Sequence, residues 1–293
     1  MAHDSDPLLS RRSALAVLAA GALTAANPAG SVAAPNAHGR LKQSVCRWPY
    51  AATSLPEFCR RVRRIGFSAI DLLFPDEWPV ARDAGITVSL GYASRRDAFI
   101  QTGFNDPANH TLLLSELETA LPLAARAGVP NVIAMFGNRV PGIDDAAAIA
   151  HCVAGLSKIA PLAAEQGVTV CVELLNSKVD HPGYQGDHTA FGAAVMKGVN
   201  SPRVKLLYDI YHMQIMEGDV IRTIRDNIEW IGHFHTGGVP GRHEINASQE
   251  LNYRAIALAI ADLHYQGYVA HEFKPTRADP FASLAEAFEL CNV

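Results

Sequence analysis

Short apolar runs alternate with longer amphipathic stretches along most of this chain. The runs are QSVCRW (43–48), AIDLLF (69–74), TVSLGY (87–92), NVIAMF (131–136), TVCVEL (169–174), VKLLYD (204–209), IGHFHT (231–236) and YVAHEF (268–273). Each has the length and near-continuous hydrophobicity of a strand buried on both faces. Between them, helical spacing predicts helices near 54–65, 77–83, 111–127, 143–166 and 188–199. Further helices are predicted from Tyr211, at 218–228, at 252–266 and at 281–290.

Strands that alternate with helices imply parallel pairing through right-handed crossovers. Eight such units in roughly 250 residues predict an α/β fold of the (β/α)8 TIM barrel type, in one domain. An open doubly wound sheet is the rival, but no GxGxxG or P-loop follows the first run. No internal repeat stands out beyond the β/α alternation. The 293 residues are 49% hydrophobic and 18% charged, enough to bury a large core.

The first 36 residues read differently. Ser10-Arg11-Arg12-Ser13 precedes the apolar run ALAVLAAGALTAA (14–26) and the small-residue stretch NPAGSVAAPNAHG (27–39). A charged start, a short apolar run and A-x-A-like sites describe an export signal, and the arginine pair suggests the twin-arginine route. Cleavage is expected near Ala33. The run is too short to span a bilayer of about 20 helical residues, so no stable membrane insertion is expected after processing. The expected division is therefore 1–36 as signal and linker and 37–293 as barrel. The expected location is periplasmic or otherwise exported, or cytoplasmic if the signal is not processed.

A formal net charge of −4 without a long basic cluster argues against nucleic acid as a partner. The five cysteines form no CxxC pair. Cys46 and Cys171 lie in strand runs and read as buried thiols, and no essential disulfide is expected. Apolar helix faces serve a core or a dimer interface equally well, so a homo-oligomer stays open.

The chemistry concentrates in the second half. Four runs end in residues able to bind a metal: Glu173, Asp209, His235 and Glu272. The C-terminal strand ends of such a barrel form its active-site face, so these four would meet at one mouth. Carboxylates with one imidazole suit a divalent ion, Mn or Mg. His233 shares the parity of His235 one layer deeper and reads as a hydrogen-bonded core histidine. His271 has the opposite parity to Glu272 and should face the helix layer. His212, three residues after Asp209, could reach substrate or a second metal, or simply cap a helix. Arg242 and Lys274 could hold an anionic substrate group, or be a solvated loop arginine and a rim lysine. Loops 176–187 and 237–250 follow two of the ligand-bearing strands and are long enough to cover a substrate.

The stretches VELLN (172–176), YDIYHMQIMEGD (208–219), GHFHTGGVPGR (232–242), ELNY (250–253) and HEFKP (271–275) resemble the hydroxypyruvate isomerase family of the xylose-isomerase-like barrels. The resemblance is strong from 168 to 276 and weaker from 43 to 167. It implies Glu173, Asp209, His235 and Glu272 as ligands of one Mn or Mg ion. It also implies Glu173 and Glu272 as the catalytic proton-transfer pair, with His212 and Arg242 near a small hydroxy-carbonyl or sugar substrate. The reaction implied is hydroxypyruvate to tartronate semialdehyde through an enediolate. The chain departs from that family in having histidine at 235, where glutamine is usual and ketose 3-epimerases have histidine. It also has no histidine in TVSLGYASRRD (87–97). A periplasmic ketose 3-epimerase, a keto-sugar lyase and a non-catalytic sugar-binding protein are the alternatives. A DNA-repair endonuclease on the same barrel would want more metal ligands and basic loops.

Overall fold

A computed structural model of the protein describes residues 39–293. The export segment expected over 1–36, with its cleavage near Ala33, lies outside the described residues. Eight strands follow one another: β1 (Lys42–Val45), β2 (Ala69–Leu73), β3 (Thr87–Gly91), β4 (Asn131–Met135), β5 (Thr169–Glu173), β6 (Val204–Asp209), β7 (Ile231–Thr236) and β8 (Tyr268–His271). The helices are α1 (Leu55–Ile65), α2 (Trp78–Asp83), α3 (His110–Ala127), α4 (Asp145–Gln166), α5 (Thr189–Val199), α6 (Ile210–Met216), α7 (Val220–Asn227), α8 (Tyr253–Asp262) and α9 (Pro280–Cys291).

The strand order is β1-β8-β7-β6-β5-β4-β3-β2, every pair parallel. This is a nearly closed eight-stranded barrel, as the alternation of runs predicts. A single bridge between Cys46 and Asp71 joins β1 to β2. Beside it the Arg47 N–H donates to the Asp71 carbonyl at 3.0 Å. Strands β4 and β5 are buried along their whole length, because helices cover one side and the barrel interior the other.

Local chemistry sets the helix limits. Asp144 accepts from the Ala147 N–H at the start of α4. Gly128 and Gly167 end α3 and α4 in the left-handed region, at φ of 73° and 68°. Helix α8 stops at Asp262, short of the expected 266, because the chain turns through a left-handed His264. Strand β8 ends at His271, so Glu272 lies one residue beyond it. The ladder nevertheless continues, since the Glu272 N–H donates to the Thr236 carbonyl at 2.9 Å. All five thiols are buried and free.

Candidate active site

Glu173 and Asp209 close β5 and β6, and Asp209 is the register partner of His235 on β7. Adjacent strand ends therefore carry three of the four expected groups, with Glu173 in register with Leu207 two residues before Asp209, and the extended chain after β8 brings Glu272 alongside. One donor atom from each of Glu173, Asp209, His235 and Glu272 lies within 4.8 Å of the others, and all four residues are buried. His235 Nδ1 stands 2.7 Å from Glu272 Oε2 and 3.3 Å from Glu173 Oε1. Asp209 also caps α6, accepting the His212 N–H at 3.2 Å.

Arg242 leans over this group. Its Nη2 donates to Glu272 Oε2 at 2.5 Å and Asp209 Oδ2 at 3.2 Å, and its Nε donates to the Glu272 carbonyl at 3.3 Å. The guanidinium also faces the rings of Trp48 and Tyr211, 5.6 and 5.3 Å from their centroids. His212 is fully buried. Its Nδ1 accepts the Asn176 N–H at 3.1 Å, and its Nε2 lies 3.6 Å from Asp209 Oδ2. Lys274 is exposed and does not line the cavity at the mouth; its main-chain N–H donates to the Arg242 carbonyl at 2.6 Å. His233 lies one layer below His235 and is fully buried, its Nε2 2.9 Å from Asp71 Oδ2. His271 turns outward, its ring edge-on to Phe67 at 5.8 Å.

The environment separates the acids. Burial pushes the Glu173 carboxyl up, against His235. Burial also raises Asp209, to about 7, with Arg242 opposing. Burial would raise Glu272 too, but Arg242 and His235 hold it well below the usual range. The His235 imidazole, which burial alone would leave neutral, is driven upward by Glu272. Three buried carboxyls thus face one guanidinium and one imidazole. The His235 Nδ1 finds no well-formed hydrogen bond among them. A cation placed between that nitrogen and the carboxylate oxygens would relieve this crowding, and the oxygen-rich donor set fits a hard divalent ion. Cys46 Sγ, 3.7 Å from His235 Nε2, could offer a softer donor from below.

A cavity of about 280 Å³ is lined by Glu173, Glu272, His181 and Arg242, with Leu72, Ile133, Met135 and Leu175 among its apolar walls. A wider cleft of about 710 Å³ between α1 and α2, lined by Arg60, Arg63 and Arg64, holds none of these groups.

Three features escape the sequence reading. Trp48, just after β1, donates Nε1–H to Glu272 Oε1 at 2.6 Å. The segment after β3 supplies Tyr92, Phe99 and Ile100 to the cavity wall, although the sequence pointed only to the loops after the ligand-bearing β5 and β7. Asp71 accepts from His235 as well as from His233. A lone acid inside the apolar run AIDLLF was the available signal for Asp71.

The sequence matches the xylose isomerase-like TIM barrel family over residues 59–291. It is 35% identical over 227 residues to the 2-oxo-tetronate isomerase of Cupriavidus necator, which covers 75% of this chain and 86% of that protein. It is 30% identical over 243 residues to the putative hydroxypyruvate isomerase of Homo sapiens, covering 81% and 80%. Among solved structures, an AP endonuclease of family 2 from Brucella melitensis superposes with a TM-score of 0.73 at 25% identity, over 84% of this chain and 98% of that one.

Proposed function

Because the chain belongs to the xylose isomerase-like TIM barrel family, we propose that it is a divalent-metal-dependent isomerase of small hydroxy-oxo acids. The substrate we propose is hydroxypyruvate, converted to tartronate semialdehyde, or a 2-oxo acid one carbon longer; the names of the relatives from Homo sapiens and Cupriavidus necator support these two choices. The observation that supports this most is the meeting of Glu173 and Glu272 across His235 Nδ1 at the cavity floor. Their environments push the two glutamates apart, one ionised and one able to carry a proton, as an acid–base pair requires.

Glu173, Asp209, His235 and Glu272 would hold the Mn or Mg ion. When bound, it supplies Lewis-acid polarisation of the substrate carbonyl and offsets the negative charge of the enediolate. Glu272 takes the proton from the hydroxyl-bearing carbon, and the electron pair moves onto the neighbouring carbonyl to give the enediolate. Glu173 gives a proton to the adjacent carbon and the hydroxyl proton crosses to the other oxygen; after product leaves, Glu272 releases its proton to solvent and Glu173 takes one up, which resets the pair. Arg242 still has its Nη1 hydrogens free of the contacts made by Nε and Nη2, and these would hold the substrate carboxylate. The apolar walls exclude water that would otherwise compete for protons. A volume of about 280 Å³ lies just below the roughly 300–1,000 Å³ range of drug-sized ligands and suits a short substrate.

The test is proton exchange by NMR in D₂O with the Mg-loaded protein. Deuterium should enter beside the carbonyl of hydroxypyruvate or its four-carbon homologue. Exchange on a ketose alone would replace this reading with a 3-epimerase, which the histidine at 235 favours. Neither exchange nor product from either class, with a divalent ion bound, would exclude the enediolate. The twin-arginine-like segment supports a periplasmic site of action, and N-terminal sequencing of the secreted protein checks it.

A further inference from the structure

We propose that Asp71, in the middle of β2, is a positioning residue that fixes the ring of His235 and thereby sets the affinity of the centre for its cation. The inference rests on the reading of Glu173, Asp209, His235 and Glu272 as metal-binding. Asp71 is fully buried, and its Oδ2 lies 2.9 Å from the Nε2 of both His233 and His235. Its Oδ1 accepts the hydroxyl of Ser89 at 2.6 Å, and Ser44 stands behind Ser89 at 2.5 Å. The main chain is held too, by the Cys46 bridge and the Arg47 N–H that join β1 to β2. Both carboxylate oxygens and the backbone are therefore anchored at the place where the barrel closes.

Once a cation takes the place of the proton that Glu272 favours, the His235 imidazole carries a single proton, and the hydrogen bond made by one nitrogen decides which atom bears it. Asp71 can only accept, so it keeps the proton of His235 on Nε2. The Nδ1 lone pair is then left facing Glu173 and Glu272. Without Asp71 the ring could rotate, or place its proton on Nδ1 to satisfy Glu272 at 2.7 Å. Either change removes a donor from the centre. A carboxylate behind a ligating histidine commonly governs metal affinity by about 10–100-fold.

The experiment titrates Mn²⁺ into the chelated wild type and into Asp71→Ala and Asp71→Asn, with melting curves to compare folding. Asp71→Ala should weaken binding by about 10–100-fold. Asp71→Asn should recover part of that loss, because its amide oxygen can still accept from His235. The Ser89 hydroxyl can then turn to accept the new N–H₂, donating instead to the Ile70 carbonyl 3.1 Å away. In parallel, ¹⁵N spectra of the Mg-loaded wild type should show the His235 proton on Nε2, and this arm stands even if Asp71→Ala does not fold. A folded Asp71→Ala with wild-type affinity, or a proton on Nδ1, would overturn the proposal. So would a second ion held by Asp71 itself. A wild type that binds no divalent ion would instead remove the metal reading on which the inference depends.

Discussion

At the scale of single residues, the site is a problem of charge. Glu173, Asp209 and Glu272 are each at most 5% exposed, and they share a space with one guanidinium and one imidazole. Buried carboxylates persist when they are paired or bind a cation. Glu173→Gln and Glu272→Gln keep volume and remove one proposed proton-transfer group each. Each should lower kcat by about 10²–10⁴-fold in a deuterium-exchange or coupled assay. Near-normal turnover in both would take the pair out of the mechanism. The four strand-end groups were legible in the sequence because strand ends can be counted. Asp71 and Trp48 were not, since their importance lies in contacts with His235 and Glu272, 164 and 224 residues away.

At the scale of elements, the loops that shape the cavity are tied down by side chains. After β5, the Tyr184 hydroxyl donates to the Glu173 carbonyl at 2.8 Å and accepts the Phe136 N–H at 2.9 Å. This joins the ends of β4 and β5 beneath the acids. In the loop after β7, Glu244 accepts the Thr276 N–H at 2.7 Å, the Thr276 hydroxyl at 3.0 Å and the Ser283 hydroxyl at 2.8 Å. Burial would raise its pKa, but these donors pull it from 4.5 to about 2. A depressed folded pKa gives stability that is complete above the unfolded value and lost as pH falls through the folded one. Thermal melts of Glu244→Gln and wild type should therefore differ fully at pH 7. The difference should shrink below pH 4.5 and close near pH 2. A pH-independent difference would mean that the charge does not latch this loop. Loop length pointed to the segments after β5 and β7. The one after β3, between Gly91 and His110, is longer still, but it was passed over because its strand ends in no candidate metal ligand.

At the scale of the whole molecule, an ion that binds only the folded barrel stabilises all of it. Mg or Mn at about a hundred times its Kd should add about 2.7 kcal/mol, raising the melting temperature by roughly 5–10 °C. A chelator should reverse the rise and abolish turnover together. A melting temperature indifferent to divalent ions would deny the four groups a metal-binding role. The barrel itself was readable from the chain. Periodicity is a local property, eight apolar runs separated by amphipathic helices allow few topologies, and the observed strands begin and end within a few residues of those runs. The identity of the acids at the strand ends was equally local. Closure was not. Only the folded chain places Asp71 against Cys46 and under two histidines, turns His235 Nδ1 toward two glutamates, and lays Arg242 across Asp209 and Glu272. Such contacts join residues far apart in sequence, and their distances and charges follow from barrel curvature and side-chain packing, which no local pattern encodes.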